Sequence, residues 1–265
     1  MGTWKIDRFE KKPSLKNPVL VEGLPGIGNV GKVAVDLMVD NLKAKKYCDF
    51  FSYTLPHSVF VNEKNLVELP KISLYYKRLK KQDILILAGD MQPVDEVSSY
   101  EFCDAMLDVC QEFDCKEIVT LGGIGLQDIP KNPRVFCTAN NEEIMKKYKK
   151  GTELQTSLYG IVGPIVGVSG LLVGMAKKRK IPSIALLAET YGHPMYLGVK
   201  GAREILKVLN IHLNLKMNLK SVDKEIDELE IELLKRAEQL GEISRQTALK
   251  RLKGKVSPDE ATYIG

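Results

Sequence analysis

The stretch Pro18-Val-Leu-Val-Glu-Gly-Leu-Pro-Gly-Ile-Gly-Asn-Val-Gly31 decides the fold. Its first half, Pro18 to Glu22, is a short apolar run closed by Gly23, which reads as a buried strand. Its second half sets Gly26, Gly28 and Gly31 in a G-x-G-x-x-G spacing. Beyond it Val35, Leu37, Met38 and Leu42 recur at helical spacing, so Gly31 to Lys46 is predicted to be a helix. Strand, glycine turn and helix in that order open an α/β unit.

The rest of the body repeats the alternation. Phe50 to Leu55 and Val59 to Val61 are β-rich and separated by Pro56. Leu66 to Leu69 and Ile72 to Tyr76 read as further strands in a hairpin arm. Asp83-Ile-Leu-Ile-Leu-Ala88 is a continuous apolar strand ending in Gly89-Asp90. Ser98 to Phe113 is an amphipathic helix with a serine start. Glu117 to Leu121 is a buried strand ended by Gly122-Gly123, and Val135 to Ala139 another strand. A short helix covers Asn141 to Lys149, and a second, Val168 to Lys178, follows a glycine-rich loop. Ile184 to Ala188 is the last central strand, ended by Glu189, and Gly198 to Leu209 a final helix. Strands that are apolar throughout are buried on both faces. The body, about residues 15–210, is therefore expected to be a three-layer α/β/α sandwich, and the β-rich stretch 50–76 implies a mixed sheet.

The pattern changes after Asn218. Val222, Ile226, Leu229 and Leu233 step by four, three and four residues, and Leu240 and Ile243 continue the stripe among charged residues. This predicts a long amphipathic helix whose apolar face needs cover, from the body or from another subunit. The expected division is an α/β/α body over 1–218, a helical extension over 219–254 and an extended tail over 255–265, where Pro258 stops any helix.

Composition narrows the function classes. Among 265 residues, 44% hydrophobic and 28% charged allow a core and a solvated surface. No apolar run reaches the ~18–20 residues of a membrane span. Ile161 to Ala176 comes nearest, and its glycines and Pro164 break it. The N-terminal residues lack the apolar centre of a secretion signal, and Ile6 breaks the myristoylation pattern that Gly2 would begin. The five cysteines, Cys48, Cys103, Cys110, Cys115 and Cys137, show no close pair of the metal or redox kind. They are expected to be reduced thiols in a cytoplasm, with Cys103 and Cys110 in a core. The net charge of +5 is mild. The basic runs Lys77 to Lys81, Lys146 to Lys150 and Lys177 to Lys180 sit at helix ends or just before strands, where they are solvated; no nucleic-acid or membrane partner is expected.

Chemistry is harder to assemble. The glycines of 26–31 could admit a phosphate at a helix N-terminus, as in a dinucleotide site. The acid such a site needs about 20 residues on is poorly placed: Asp49 has the distance but opens its strand. The rival reading is a tight turn in which Gly23, Gly26, Gly28 and Gly31 are structural. Asp90, Glu189 and His193 end strands at the carboxyl edge of the sheet and could bind a metal or move protons, yet share no diagnostic spacing. Ser169 between Gly167 and Gly170 is expected to cap its helix, and no G-x-S-x-G elbow is present. No nucleophile, base and orienting group can be grouped, so no enzyme and no cofactor is expected. The alternative is a nucleotide- or nucleoside-binding enzyme using the Gly26–Gly31 loop and the Asp90/Glu189 edge.

Taken as an ordered set, five segments resemble a known family. They are Val21 to Ala34, Ile84 to Asp90, Leu121-Gly-Gly-Ile-Gly125, the Gly160-to-Gly174 loop and helix, and Ala188-Glu-Thr-Tyr-Gly-His-Pro194. The set resembles the archaeal branch of the proteasome assembly chaperones, the branch related to the second eukaryotic chaperone subunit, over roughly residues 15–250. That resemblance implies a phosphorylase/hydrolase-like α/β/α body. It also implies self-association, or pairing with a paralogue, and binding to proteasome α-subunits without chemistry. It directs attention to the end of the chain, because proteasome-binding proteins often finish with a hydrophobic residue, tyrosine and any residue. Here Tyr263, Ile264 and Gly265 are the candidate partner-binding residues; tyrosine is third from the end, not second, and follows Thr262.

Overall fold

A computed structural model describes residues 4–156, 163–193 and 196–218, and residues 223, 224, 226 and 228. Its strands are β1 (Lys5–Arg8), β2 (Val19–Gly23), β3 (Lys45–Phe51), β4 (Phe60–Val61), β5 (Val67–Glu68), β6 (Ile72–Lys77), β7 (Ile84–Gly89), β8 (Glu117–Leu126), β9 (Val135–Ala139) and β10 (Ser183–Tyr191). Its helices are α1 (Val30–Leu42), α2 (Glu96–Glu112), α3 (Glu142–Lys149), α4 (Val168–Lys178) and α5 (Val199–His212).

Eight strands form one sheet in the order β1-β3-β6-β7-β2-β8-β10-β9, and β4 and β5 make a separate hairpin. The centre, β7-β2-β8-β10, is parallel. Both flanks pair antiparallel, so the sheet is mixed, as the 50–76 stretch implied. The alternation of side chains across a strand explains the layers. Val19, Val21, Ile84 and Ile86 face a core shared with α1, α3 and α5. Leu20, Leu85 and Leu87 face a second core with α2 and α4. Two apolar faces on one strand are what made these segments read as unbroken hydrophobic runs. The chain is thus the three-layer α/β/α fold expected.

Local boundaries depart from the sequence reading. Helix α1 stops at Leu42 because Lys43 turns left-handed with φ 50°, and Lys45-Lys46 already belong to β3. Strand β8 runs through Gly122-Gly123 to Leu126, since β10 pairs with it along that whole length and extends to Tyr191. Helix α2 starts at Glu96; Asp95 is its cap, accepting from the Ser98 backbone N–H at 2.8 Å. Strand β1, polar and at the sheet edge, was not anticipated. All five cysteines are buried and free, with Cys103 and Cys110 in the α2/α4 core. No described helix is long and apolar enough to cross a membrane.

Candidate functional site

The chain leaves β2 toward β3 on one side of the sheet and leaves β8 toward β9 on the other. Adjacent parallel strands whose connections part in this way open a crevice at their carboxyl ends, the usual ligand position in such sheets. A cavity of about 440 Å³ lies there. Leu24 to Ile27 after β2, Leu121 to Gly125 in β8, Gly163 to Val166 and Leu187 wall it, with Gln92 and Ser169 as its polar side chains. Gln92 ties two walls together: its Nε2 donates to the Pro25 carbonyl at 2.7 Å and its Oε1 accepts from the Val168 N–H at 3.2 Å.

The glycines around this cavity are mostly filled from behind by protein. A Cβ on Gly23 would collide with the Gly31 carbonyl, and one on Gly31 would lie 2.5 Å from the Leu121 carbonyl oxygen. Here β2, α1 and β8 approach too closely for side chains. Gly28 has φ +60°, which an L side chain rarely adopts, and packs on Thr190. Of the four glycines in this segment, Gly26 alone has open space where its Cβ would be, and it lines the cavity. The segment is a packing turn with one open position. Asp49, the acid a dinucleotide site would call on, is held inside β3 by Lys46 at 2.9 Å and Ser73 at 2.5 Å.

Beneath the cavity lies Glu22, which is fully buried. Its Oε1 accepts from the Leu24 backbone N–H at 2.9 Å and its Oε2 from the Ser169 hydroxyl at 2.9 Å. Both donors are neutral. Burial therefore dominates, pushing the carboxyl up from 4.5 to about 7 against the two hydrogen bonds. Ser169, expected from sequence to cap α4, does not: Gly167 occupies the cap position, and the Ser169 hydroxyl turns inward to Glu22 and the Leu121 carbonyl. The Glu22–Ser169 pair escaped the sequence reading because 147 residues separate its members.

The three acid–base candidates do not meet. Asp90 follows β7 and accepts from the Lys71 N–H at 3.0 Å. Glu189, in β10, accepts from the Arg134 backbone at 2.8 Å and from its guanidinium at 2.6 and 3.0 Å. Strands β2 and β8 stand between β7 and β10, a gap of three strand spacings, about 14 Å. His193 stacks on Tyr191 with ring centroids 5.7 Å apart. Among the described residues no group of three His, Cys, Asp or Glu side chains is placed to hold a metal. Tyr263, Ile264 and Gly265 lie outside the described residues, as does the 219–254 extension apart from residues 223, 224, 226 and 228, of which Ile226 is buried in the core shared with α1 and α5 and Asp223 pairs with Arg203 at 2.6 Å.

The same end of the sheet carries a feature of another kind. Between β3 and β6 the chain runs out as the β4–β5 hairpin, whose Val59, Phe60, Val61, Leu66, Val67 and Leu69 are all exposed. Val61 and Val67 face each other across it, 63% and 70% exposed. Consecutive apolar residues put hydrophobic surface on both faces of the hairpin. Its root is tied to α2 by a 2.5 Å hydrogen bond between Thr54 and Ser98. Around the start of α2, Val94, Val97 and Tyr100 are exposed as well. The hairpin and the start of α2 thus present an exposed apolar surface at this end of the molecule.

Fold and site together define a mixed-sheet α/β/α body with an apolar presenting end. Residues 20–237 match the PAC2 family, and the chain belongs to it. It is 33% identical to Pyrococcus furiosus PbaB, an archaeal proteasome activator, whose crystal structure superposes with a TM-score of 0.80 over 90% of this chain and all of that one. Pyrococcus furiosus PbaA, an archaeal homologue of proteasome-assembly chaperone, matches at 22% identity and TM-score 0.72, over 96% of this chain and 100% of that one. An uncharacterised Methanocaldococcus jannaschii protein is 29% identical over 254 residues, 95% of this chain and 93% of its own length.

Proposed function

We propose that this chain is a proteasome-binding protein that engages proteasome α-subunits as a homo-oligomer, acting as an assembly chaperone or activator and not as a catalyst. The observation that carries this reading is the exposed apolar hairpin beside the start of α2, on a fold that 90% of this chain shares with PbaB. Such surface costs free energy in water, about 25 cal/mol per Å² of apolar area, and recovers it when a partner covers it. The sheet-edge carboxylates support a role without chemistry, because Asp90 and Glu189 are each held by backbone or guanidinium donors on separate strands. Tyr263 to Gly265 supply a second contact in this reading, with the Tyr263 ring offered to a pocket between subunits.

Affinity capture from native lysate tests it, with the tagged full chain, the chain lacking 261–265, and a Phe60→Thr/Val67→Thr variant. Recovery of α-subunits by the full chain, reduced by either change, is expected. Capture that leaves α-subunits behind overturns the reading.

A further inference from the structure

We propose that the cavity at the carboxyl ends of β2 and β8 is a binding site for a small, uncharged, largely apolar molecule bearing one carbonyl oxygen, with the Ser169 hydroxyl, gated by a proton on Glu22, as its hydrogen-bond donor.

The walls set the class of ligand. Leu24, Ile27, Leu121, Ile124, Ile165 and Leu187 are aliphatic, and among the described residues no charged side chain lines the cavity. A formal charge would be desolvated there with no counter-ion, which is costly. The volume, about 440 Å³, suits a compact molecule. An apolar crevice at a switch point, with a few convergent polar groups and a perturbed acid behind them, is the usual form of a small-molecule site.

Hydrogen-bond bookkeeping sets the recognition. The Leu24 N–H can only donate, so it occupies Glu22 Oε1 in either protonation state. A proton on Glu22 must therefore sit on Oε2 and point at Ser169 Oγ. When Glu22 is ionised, Ser169 donates to it and has no hydrogen left for a ligand. When Glu22 is protonated, Ser169 accepts from the acid, and its own hydrogen turns to the Leu121 carbonyl, 3.2 Å away, or to an acceptor in the cavity. A ligand carbonyl competes with that long bond. The titratable group coupled to Glu22 from the facing helix is Cys103 of α2, whose thiol burial keeps neutral. The gate therefore works where Glu22 titrates, near neutrality, because burial lifts the acid to about 7.

Benzamide, benzoate and benzamidine share one shape and carry charges of zero, minus one and plus one, which makes them the probes. The readout is the ¹³C methyl shifts of Ile124 and Ile165 in the full chain. Benzamide is expected to give saturable shifts that strengthen as pH falls from 8 to 6, with both charged isosteres at least about tenfold weaker. Ser169→Ala should weaken benzamide by about three- to tenfold. Glu22→Gln offers a permanent N–H to Ser169, so it should bind benzamide equally at both pH values. Gly163 lines the cavity and has open space at its Cβ, so Gly163→Leu narrows the site even if Ser169→Ala fails to fold. Absence of saturable shifts, equal binding of a charged isostere, or a pH dependence that survives in Glu22→Gln overturns the proposal.

Discussion

Glu22 shows what a single residue can contribute and what it costs. Its carboxyl is raised from 4.5 to about 7 by burial, so between those values the folded chain holds a proton that the unfolded chain has released. Stability from this group is complete below about 4.5 and falls as pH rises, levelling off above about 7. Removing the charge should therefore help at alkaline pH. Glu22→Gln is expected to unfold at higher denaturant than the parent at pH 8 and to match it at pH 4, with a gain of at most about 3 kcal/mol. Equal stability of the two chains at pH 8 would mean that the site solvates its charge. Gly31 makes the opposite point. A methyl group there meets the Leu121 carbonyl at 2.5 Å, so Gly31→Ala should destabilise by about 1–3 kcal/mol in chemical unfolding, although alanine is the better helix former.

At the scale of elements, what could be read in the sequence depended on where each element's stabilisation comes from. Strands β2 and β7 bury both faces, so their apolar runs announced them. Strand β1 is polar and largely exposed; its register with β3 rests on backbone pairing that no residue pattern signals. The glycines that continue β8 past Leu121 read as a strand end, because their role is to admit Ile27, Thr190 and Leu187 closely, a tertiary demand. The glycine motif was legible as a turn, but whether it opens to a ligand depended on Leu121 and Thr190, far along the chain. An arm was legible in this stretch but its pairing was not: Leu66 to Leu69 read as the partner of Ile72 to Tyr76, whereas β5 pairs with β4 and β6 joins the main sheet between β3 and β7, and the hairpin's exposure on both faces was not legible either. Because these side chains touch solvent, Phe60→Thr/Val67→Thr should change unfolding stability by no more than about 0.5 kcal/mol while weakening partner capture. A large loss of stability would show that the hairpin packs on its own chain.

Across the whole molecule, functional features collect at one end. The cavity, the hairpin root and the start of α2 all lie at the carboxyl edge of the parallel strands, the edge where ligands and partners meet folds of this class. The amphipathic pattern of residues 219–254 needs cover from the body or from another subunit, and we propose that beyond Ile226, which packs in the chain's own core, it serves the assembly of subunits. Truncation at 218 is expected to lower the oligomer's mass in light scattering while leaving the body folded; an unchanged oligomer would place the subunit contacts on the body.

The most direct measurement is native mass spectrometry of the full chain mixed with purified proteasome α-subunits. The account predicts complexes in which α-subunit mass adds to a homo-oligomer of this chain, diminished when residues 261–265 are removed. Spectra in which the chain flies with no α-subunit bound, across the concentrations at which the α-subunits assemble, would contradict it.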